Sequence, residues 1–386
     1  MRKYFPDTRY FAKKHLLWLL PALLVGCLQP FQPPEVSGGR GFLVVDGFLD
    51  LGSDTTLIHL SRTQDLTEEG GPPAEGQAQV TIEGDRGTAY RLTEASGGRY
   101  LLLNTAPDPA QQYRLRIRTS NGQEYLSEYV PVKATPPIDS VNWQVGGEGV
   151  QLYVNTHDPL ANTRFYRWEF SETWEFTTPY NYSYLYRAGN KEINEESTST
   201  CWNTVSPSNI FLGTSARLSE DVIYQYPLTL LPPSSEKHQI RYSILVKQYG
   251  LTEQGYKYWQ NLKRNTENLG TLFDPQPSQV SGNIRSVNSP NEPVLGFFSA
   301  GSVQQKRIFI SRNQLPREWR RITGYESCKI DSIKNNQENE EFLKSAVFPV
   351  ISEYSGPTGR LEGWLISELY CMDCRRRGVN KRPDFW

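Results

Sequence analysis

The cysteines are the residues of this sequence that could do chemistry most directly. There are five, and the last two form a C-x-x-C pair: Cys27, Cys201, Cys328, Cys371 and Cys374. Such a pair can bind zinc, but zinc would need two more ligands at useful spacing, and the sequence has no second pair. A redox-active pair belongs in a βαβ pattern, which we do not find.

An even number of cysteines in an exported protein favours disulfides. Cys27 lies at the end of a predicted export signal, described below, and is left out of the count. The four cysteines that follow it allow three pairings. We predict two structural disulfides, in which Cys371 and Cys374 each pair with a distant cysteine and hold the C-terminal tail on the fold. The alternatives are one disulfide with two free thiols, or a metal site.

Residue patterns for catalysis are weak. The sequence shows no Ser-His-Asp arrangement, phosphate-binding loop or metal motif. Glu169, Glu172 and Glu175 lie on one predicted strand, where Glu169 and Glu172 would point to opposite faces and would not form an acid–base pair for glycoside hydrolysis. We therefore expect a protein that is not an enzyme and has no catalytic residue, metal or cofactor.

Aromatic side chains are the other chemical resource. Two clusters stand out, one in a tyrosine-rich segment and one on a predicted helix face: Tyr180, Tyr182, Tyr184, Tyr186, Tyr256 and Trp259. Aromatic surfaces are enriched at protein interfaces and also stack on sugars. The clusters form either an interaction surface or part of the core, because alternate tyrosines would also fit one packed strand face.

The N-terminus carries an export signal. An apolar run from Leu16 to Gly26 follows five basic residues, and it is shorter than the roughly 20 residues that span a bilayer. Its end, Leu24-Val25-Gly26-Cys27, resembles the lipobox of bacterial lipoproteins, in which the cysteine is acylated with fatty acids such as palmitate. We predict a lipoprotein signal peptide over 1–26 and lipidation at Cys27. The alternative is an ordinary signal peptide with a chance cysteine.

Composition favours a β-rich protein outside the cytoplasm. Without residues 1–26 the chain holds 36 basic and 41 acidic residues, so the clustered positive charge of a nucleic-acid-binding protein is not expected. Tyrosine, tryptophan, proline and glycine are abundant, whereas methionine is rare. This composition is typical of strands and turns.

Alternating apolar and polar residues predict a mostly β fold with two domains. A proline- and glycine-containing tether over 27–40 leads to seven strand patterns in 41–133, typical of an immunoglobulin-like β-sandwich. Residues 134–386 form a larger, β-rich second domain, which ends in the disulfide-pinned tail. Long loops are expected over 178–235.

One amphipathic helix is predicted in the second domain, over about residues 252–268. Thr252 fits the N-cap position, and Gly270 fits the position that follows the last helical turn. Tyr256 and Trp259 share one face of this helix. We expect that face to pack on the second domain, with binding as the alternative.

Six stretches resemble a family of Bacteroidota lipoproteins catalogued as domain-of-unknown-function family 4249. They are LVVDGFL (43–49), PPIDSV (136–141), FYRWEFSETWEF (165–176), residues 244–284, PVLGFFSAG (293–301) and CMDCRRRGVNKRPDFW (371–386). One departure is Gly378-Val379, where two glycines are expected. The resemblance implies an outer-membrane lipoprotein without established activity, encoded beside TonB-dependent receptors.

Three hypotheses about function follow. The first is a non-catalytic, lipid-anchored outer-membrane protein that captures a ligand for a TonB-dependent transporter or assists it. The second is a structural envelope or adhesion lipoprotein without a small ligand, and the third is a hydrolase whose catalytic residues the sequence does not reveal. The acidic stretch of surface-displayed relatives is missing after Cys27, since the first acid is Glu35. Both orientations, towards the periplasm or the cell surface, therefore stay open.

Overall fold

Residues 41–133 form nine short strands in the structure, a computed structural model that describes residues 41–64, 68–267, 280, 282–320 and 322–386. The strands are β1 (Leu43–Asp50), β2 (Thr55–Arg62), β3 (Gln79–Gly84), β4 (Ala89–Arg91), β5 (Thr93–Glu94), β6 (Arg99–Leu103), β7 (Gln112–Arg118), β8 (Glu124–Ser127) and β9 (Val130–Lys133). The predicted signal peptide, Cys27, the tether and Gly270 lie outside the described residues.

The rest of the chain is also mainly β. Nine strands precede the main helix: β10 (Ile138–Gly146), β11 (Gly149–His157), β12 (Phe165–Thr177), β13 (Tyr184–Arg187), β14 (Asn190–Ile193), β15 (Thr200–Val205), β16 (Phe211–Thr214), β17 (Val222–Leu231) and β18 (Arg241–Gly250). The remaining elements are α1 (Glu253–Glu267), β19 (Ile284–Ser286), β20 (Leu295–Gly301), β21 (Val303–Ser311), β22 (Asp331–Lys334), α2 (Glu340–Leu343), β23 (Val347–Ser355) and β24 (Leu361–Ile366). Short 3-10 turns lie at Glu236–His238, Arg312–Gln314, Gln337–Asn339, Leu369–Cys371 and Cys374–Arg376. The predicted mostly β fold is confirmed.

The first sheet follows the order β19-β8-β7-β9-β20-β1-β2-β6-β5, and β3 and β4 join it through β7. It encloses one apolar core, to which β1, β2, β3, β6, β7, β8 and β20 all supply buried side chains. The sheet is thus not built from residues 41–133 alone. Strands β19 and β20, which the sequence places in the second domain, complete it.

Glycines allow β20 to enter the first sheet. Strand β20 pairs in parallel with β1 and with β9. A Cβ atom at Gly296, whose φ is +129°, would lie 2.0 Å from the carbonyl oxygen of Val45, and one at Gly282 would meet the Gly296 carbonyl oxygen at 1.6 Å. Only a residue without a side chain fits where three backbone segments approach so closely.

Two facing sheets form the second β assembly, and they enclose another core. One sheet has the order β15-β12-β18-β21, with β16 on β12, and its partner has the order β10-β11-β17. The even-numbered residues of β12 from Tyr166 to Phe176, except Glu172, join the apolar core between them. The odd-numbered residues therefore point to the opposite side, which we call the outer face of this sheet.

The third β assembly is a single sheet of the order β14-β13-β23-β24-β22, which we call the third sheet, and it has a small core of its own. The prediction of long loops over 178–235 is wrong, because this segment contains β13 to β17. Strand β14 is exposed along its whole length. It therefore lacks the apolar alternation from which a strand is predicted.

Helix α1 begins where the sequence predicts. The Thr252 hydroxyl accepts a hydrogen bond from the Gly255 backbone N–H at 3.1 Å, as an N-cap residue does. Tyr258 of α1 stacks on Phe297 of the first sheet, with ring centroids 5.3 Å apart, while Tyr256 packs on Phe165 of β12 at 5.0 Å. The helix thus contacts both of the larger β assemblies.

Among the described residues, no helix has the length and apolar character needed to cross a membrane.

Candidate functional site

Two disulfides hold the segment 371–386, which we call the tail. They join Cys201 to Cys374 and Cys328 to Cys371. The predicted pair of disulfides is confirmed, and each cysteine of the C-x-x-C motif binds a distant cysteine. All four cysteines are oxidised in disulfides, so their sulfur atoms are not available as zinc ligands. Among the described residues no cluster of histidine, cysteine and acidic side chains could hold a metal ion.

Polar contacts fix the tail in addition to the disulfides. The buried carboxylate of Asp373 accepts a hydrogen bond that the Arg375 Nε–H shares between both oxygens, and a second one from Nη2, at 2.6–3.1 Å. Arg377 forms an ion pair with Glu236. The backbone of Val379 forms an isolated β-bridge with Trp202. The tail therefore has a defined path from the disulfides to the edge of the sheet that contains β15.

The end of the tail lies on the outer face of the β15-β12-β18-β21 sheet. The Trp386 ring contacts Trp202 of β15 and Phe309 of β21, with ring centroids 6.4 and 5.6 Å apart. Its indole N–H donates a hydrogen bond to Glu175 of β12 at 3.3 Å. The tail thus spans the sheet from its first strand to its last.

Two arginines lie beneath the tail on this outer face. The Arg307 guanidinium carbon lies 3.5 Å from the Phe385 ring centroid. The Arg241 guanidinium carbon lies 4.2 Å from the Phe309 centroid and 5.3 Å from the Trp386 centroid. We call these five residues the tail face. It combines two cations with three aromatic rings, and such stacking contributes about 0.5–1 kcal/mol per exposed pair.

Neither arginine of the tail face has an acidic partner within the part of the chain that the structure describes. Arg307 donates one hydrogen bond, to the hydroxyl of Ser243, at 3.0 Å, and Arg241 stacks on rings only. Burial lowers the pKa of Arg307 from its ordinary value. Glu175 is the cross-strand neighbour of Arg241, yet its carboxylate accepts from Trp386. The tail face is therefore a cationic surface with unused donors.

Acidification should weaken the attachment of the tail through Asp373. Burial by itself would raise the pKa of Asp373, but the hydrogen bonds from the Arg375 side chain and backbone outweigh it and lower the pKa. The stabilisation is therefore complete above the unfolded value of about 3.9 and is lost as the pH falls through the lower, folded pKa. We expect Asp373→Asn to be less stable than the unmodified protein at neutral pH, and the gap to narrow below about pH 4.

This pH prediction is checked by urea unfolding of both proteins between pH 2 and pH 7. Parallel curves, with a constant difference in unfolding free energy, would contradict the assignment of Asp373 as the titrating group. Asp384 provides a matched control, because it lies in the same tail and is exposed. The Asp384→Asn variant, which removes an exposed carboxylate from the same tail, should be about as stable as the unmodified protein at neutral pH.

The tyrosine cluster is largely structural. Tyr184 and Tyr186 are buried in the core of the third sheet, so of the two alternatives for these residues the structure favours the core over the interaction surface. They alternate on β13, and such residues share one face of a strand. Tyr180 and Tyr182 are half-buried, and Tyr180 donates a weak hydrogen bond to the Cys328 carbonyl at 3.5 Å. The cluster lies beside a disulfide and does not form one exposed aromatic surface.

The helix aromatics pack as well. Trp259 lies on the Arg167 guanidinium, 4.1 Å from its carbon to the ring centroid, and Tyr249 stacks on the same guanidinium at 4.3 Å. Arg167 also pairs with Glu169 at 2.5 Å. Tyr256 and Trp259 are half-buried on the outer face of the sheet, which agrees with the interpretation that this face of the helix packs on the second domain.

The carboxylates on β12 do not converge. Glu172 points into the core, where it binds Lys237 and Tyr242, whereas Glu169 and Glu175 lie on the outer face. A separate polar cleft of about 950 Å³ lies on the third sheet and includes Glu338 and Glu340 in its lining. Glu338 accepts a weak hydrogen bond from a neighbouring asparagine, and Glu340 lies near a lysine at 3.8 Å. These contacts provide hydrogen-bonding groups but no matched acid and base.

Sequence reasoning missed the arginines of the tail face. Arg307 and Phe309 alternate with Ile308 and Ile310 on β21, so the pattern identified a half-exposed strand and nothing more. The only signal was that the tail ends in two large aromatic residues. Which strand they would cover depends on the disulfides, and the pairing of the disulfides is not readable from spacing.

We compared the chain with curated proteins, with solved structures and with protein families. No curated protein matches it. Similar solved structures include a pullulanase from Anoxybacillus sp. LM18-11, 11% identical over 55% of this chain and 24% of that chain, with a TM-score of 0.15. The adhesin InvE of Yersinia pseudotuberculosis is 14% identical over 56% of this chain and 58% of that chain, also with a TM-score of 0.15. The chain spans about a quarter of the pullulanase and less than two thirds of the adhesin.

The family profile described as a domain of unknown function (DUF4249) matches residues 29–307. The match ends within β21, so the tail lies beyond it. Because it covers more than two thirds of the sequence, the chain belongs to the DUF4249 family.

Proposed function

We propose that this protein is a lipid-anchored protein of the outer membrane that binds without catalysis, and that it captures a ligand for a TonB-dependent transporter or assists that transporter. The observation that carries the proposal is the tail face. A surface that holds two arginines without acidic partners among the described residues, beside partly exposed aromatic rings, is suited to recognition. The disulfides that fix the tail reduce the entropy lost when a partner binds.

The disulfides also support the proposed location. Disulfides persist in oxidising compartments such as the bacterial periplasm and the cell surface, and this chain contains two. The lipobox-like sequence before Cys27 supports acylation there. An anchored protein diffuses in two dimensions, which raises its effective concentration near a membrane partner.

Co-purification tests the proposal. Membranes are extracted in mild detergent, the protein is captured through a C-terminal tag placed after a flexible linker, and co-purifying proteins are identified by mass spectrometry. We expect a TonB-dependent transporter in the eluate of the unmodified protein. We expect less of it with the double variant Arg241→Met/Arg307→Met. Arg376→Met is the matched control, since Arg376 is an exposed tail arginine outside the tail face.

Two results would contradict the proposal. The protein could purify without any transporter under several detergents, or it could remain membrane-bound with residues 1–26 uncut after Cys27→Ser. Metabolic labelling with a fatty acid reports on Cys27 directly. Label that persists in the Cys27→Ser variant would remove the lipid anchor at this residue from the proposal.

A structural envelope or adhesion role is the second candidate, and a group of exposed apolar residues favours it. Leu160 and Tyr224 are about three-quarters exposed, and Leu218 is 55% exposed. The loops that carry Leu160 and Leu218 are joined by a backbone hydrogen bond from Asp158 to Asp221 at 3.0 Å. Under this alternative, Leu160→Ser/Leu218→Ser would reduce cell adhesion while the tail-face variants would not.

A further inference from the structure

The tail face has more hydrogen-bond donors than the protein uses. A guanidinium carries five N–H donors in a planar fork. Arg307 spends one of them on Ser243, and within the described residues the Arg241 side chain donates none. Arginine forks bind carboxylates through two parallel hydrogen bonds. The first requirement on a ligand is therefore an acidic group that reaches two neighbouring guanidinium groups.

The register of the strands brings the two arginines towards the same place. Arg241 lies opposite Ser311 on β21, and Arg307 lies opposite Leu245 on β18. The Arg307 side chain extends towards β18 and donates to the hydroxyl of Ser243. Ser243 is the next residue after Arg241 on the same face of β18. Residues two apart on a strand are separated by roughly 7 Å. One ligand of a few sugar or amino-acid units can therefore contact both cations.

Aromatic rings set the second requirement. The Phe385 side chain is 42% exposed, and Trp386 is half-buried beside it. One side of each ring is used by an arginine, and the exposed remainder offers an apolar surface with a polarised π-system. Such surfaces pack on the C–H faces of sugar rings or on other flat, partly apolar groups. A free inorganic anion would leave this surface unused.

Glu175 sets the third requirement. Its carboxylate lies on the same outer face, holds the Trp386 indole at 3.3 Å, and retains lone pairs that can accept from a hydroxyl group. A densely charged polyanion would be repelled by it, because like charges at close range oppose binding. A ligand with hydroxyl donors next to a single carboxylate would use it.

These three requirements are met together by one class of ligand. We infer that the tail face is a binding site for acidic oligosaccharides, in which Arg241 and Arg307 bind a sugar carboxylate, Phe385 and Trp386 pack on a ring, and Glu175 accepts a hydroxyl. The inference rests on the proposed capture function and names its ligand class. An acidic peptide satisfies the arginines but supplies neither the ring face nor the hydroxyl groups.

Calorimetric titration of the purified protein with a xylotriose that carries a single glucuronic acid tests this inference, and its methyl ester is the matched neutral ligand. We expect the acid to bind at low ionic strength and the ester to bind at least tenfold more weakly. Arg307→Met and Arg241→Met should each weaken binding of the acid at least tenfold, and Arg307→Lys should weaken it less, because it keeps the charge but loses the fork. Arg376→Met should bind as the unmodified protein does.

The following results would overturn the inference. No binding of the acid at millimolar concentration removes the site, and equal binding of acid and ester removes the role of charge. Equal or tighter binding of a capped, amidated tetrapeptide with one glutamate would replace the sugar by a peptide. Backbone NMR shifts of residues 371–386 verify that the tail stays in place in each variant. No transporter is present in this titration, so its failure is distinct from a failed co-purification.

Discussion

A Lys237→Met variant is expected to lose about 3–5 kcal/mol of unfolding free energy at neutral pH. Lys237 Nζ lies 2.6 Å from Glu172 Oε2, and the Glu172 side chain is only 3% exposed. The other oxygen of Glu172 accepts from the buried Tyr242 hydroxyl at 2.8 Å. Removal of the lysine leaves a carboxylate in the core between the two facing sheets, with one neutral donor and no cation.

A surface ion pair with the same separation provides the matched control. Lys257 Nζ also lies 2.6 Å from Glu253 Oε1, but these side chains are 66% and 63% exposed. Exposed pairs of this kind contribute about 0.3–0.5 kcal/mol, so Lys257→Met should be nearly neutral in chemical denaturation. Adding Glu172→Gln to Lys237→Met should recover part of the loss, because the amide still accepts from Tyr242. Equal losses for the two lysine variants would show that burial does not set the strength of the pair.

Local patterns predicted much of the fold, because they depend only on neighbouring residues. Tyr113, Leu115 and Ile117 alternate with arginines, and all three are buried on β7. Thr252 marked the first turn of α1. The insertion of β20 between β1 and β9 could not be predicted in this way, because strand order depends on contacts between distant segments. Gly296 makes that insertion possible, but a glycine in a strand pattern has several explanations.

In the candidate site, too, some features could be predicted from the sequence, and others depend on contacts between distant segments. The cysteine count together with the expectation of export was enough to predict two disulfides, because four thiols in an oxidising compartment favour disulfides. The tyrosines of β13 fitted a surface and a core equally well, and only the position of β23 and β24 against them decided for the core. Arg307 resembled any solvent-facing strand residue. Its role depends on Phe385, which the fold brings to it from the tail.

The disulfide between Cys201 and Cys374 is expected to contribute more stability than its neighbour. It joins residues 173 apart in sequence, whereas Cys328 and Cys371 are 43 apart. In the chain-entropy description, closing loops of these lengths contributes about 5 and about 4 kcal/mol respectively. Cys201→Ala/Cys374→Ala should therefore be destabilised by about 1 kcal/mol more than Cys328→Ala/Cys371→Ala. Guanidinium unfolding of both double variants measures this difference.

The long bridge should also have a local effect that the short one lacks. Cys374 lies within the tail next to Asp373, and its bond to β15 holds the tail against the sheet that carries Arg241 and Arg307. Loss of this bond should release Phe385 and Trp386 from the arginines, because the remaining bridge at Cys371 lies farther from the end of the chain. Limited proteolysis should then cut within residues 375–386 in the first double variant well before it does so in the second. Cleavage at equal rates would mean that the non-covalent contacts of the tail, among them the Arg377–Glu236 ion pair and the Val379–Trp202 bridge, hold it in place, and would assign the disulfide a role in global stability only.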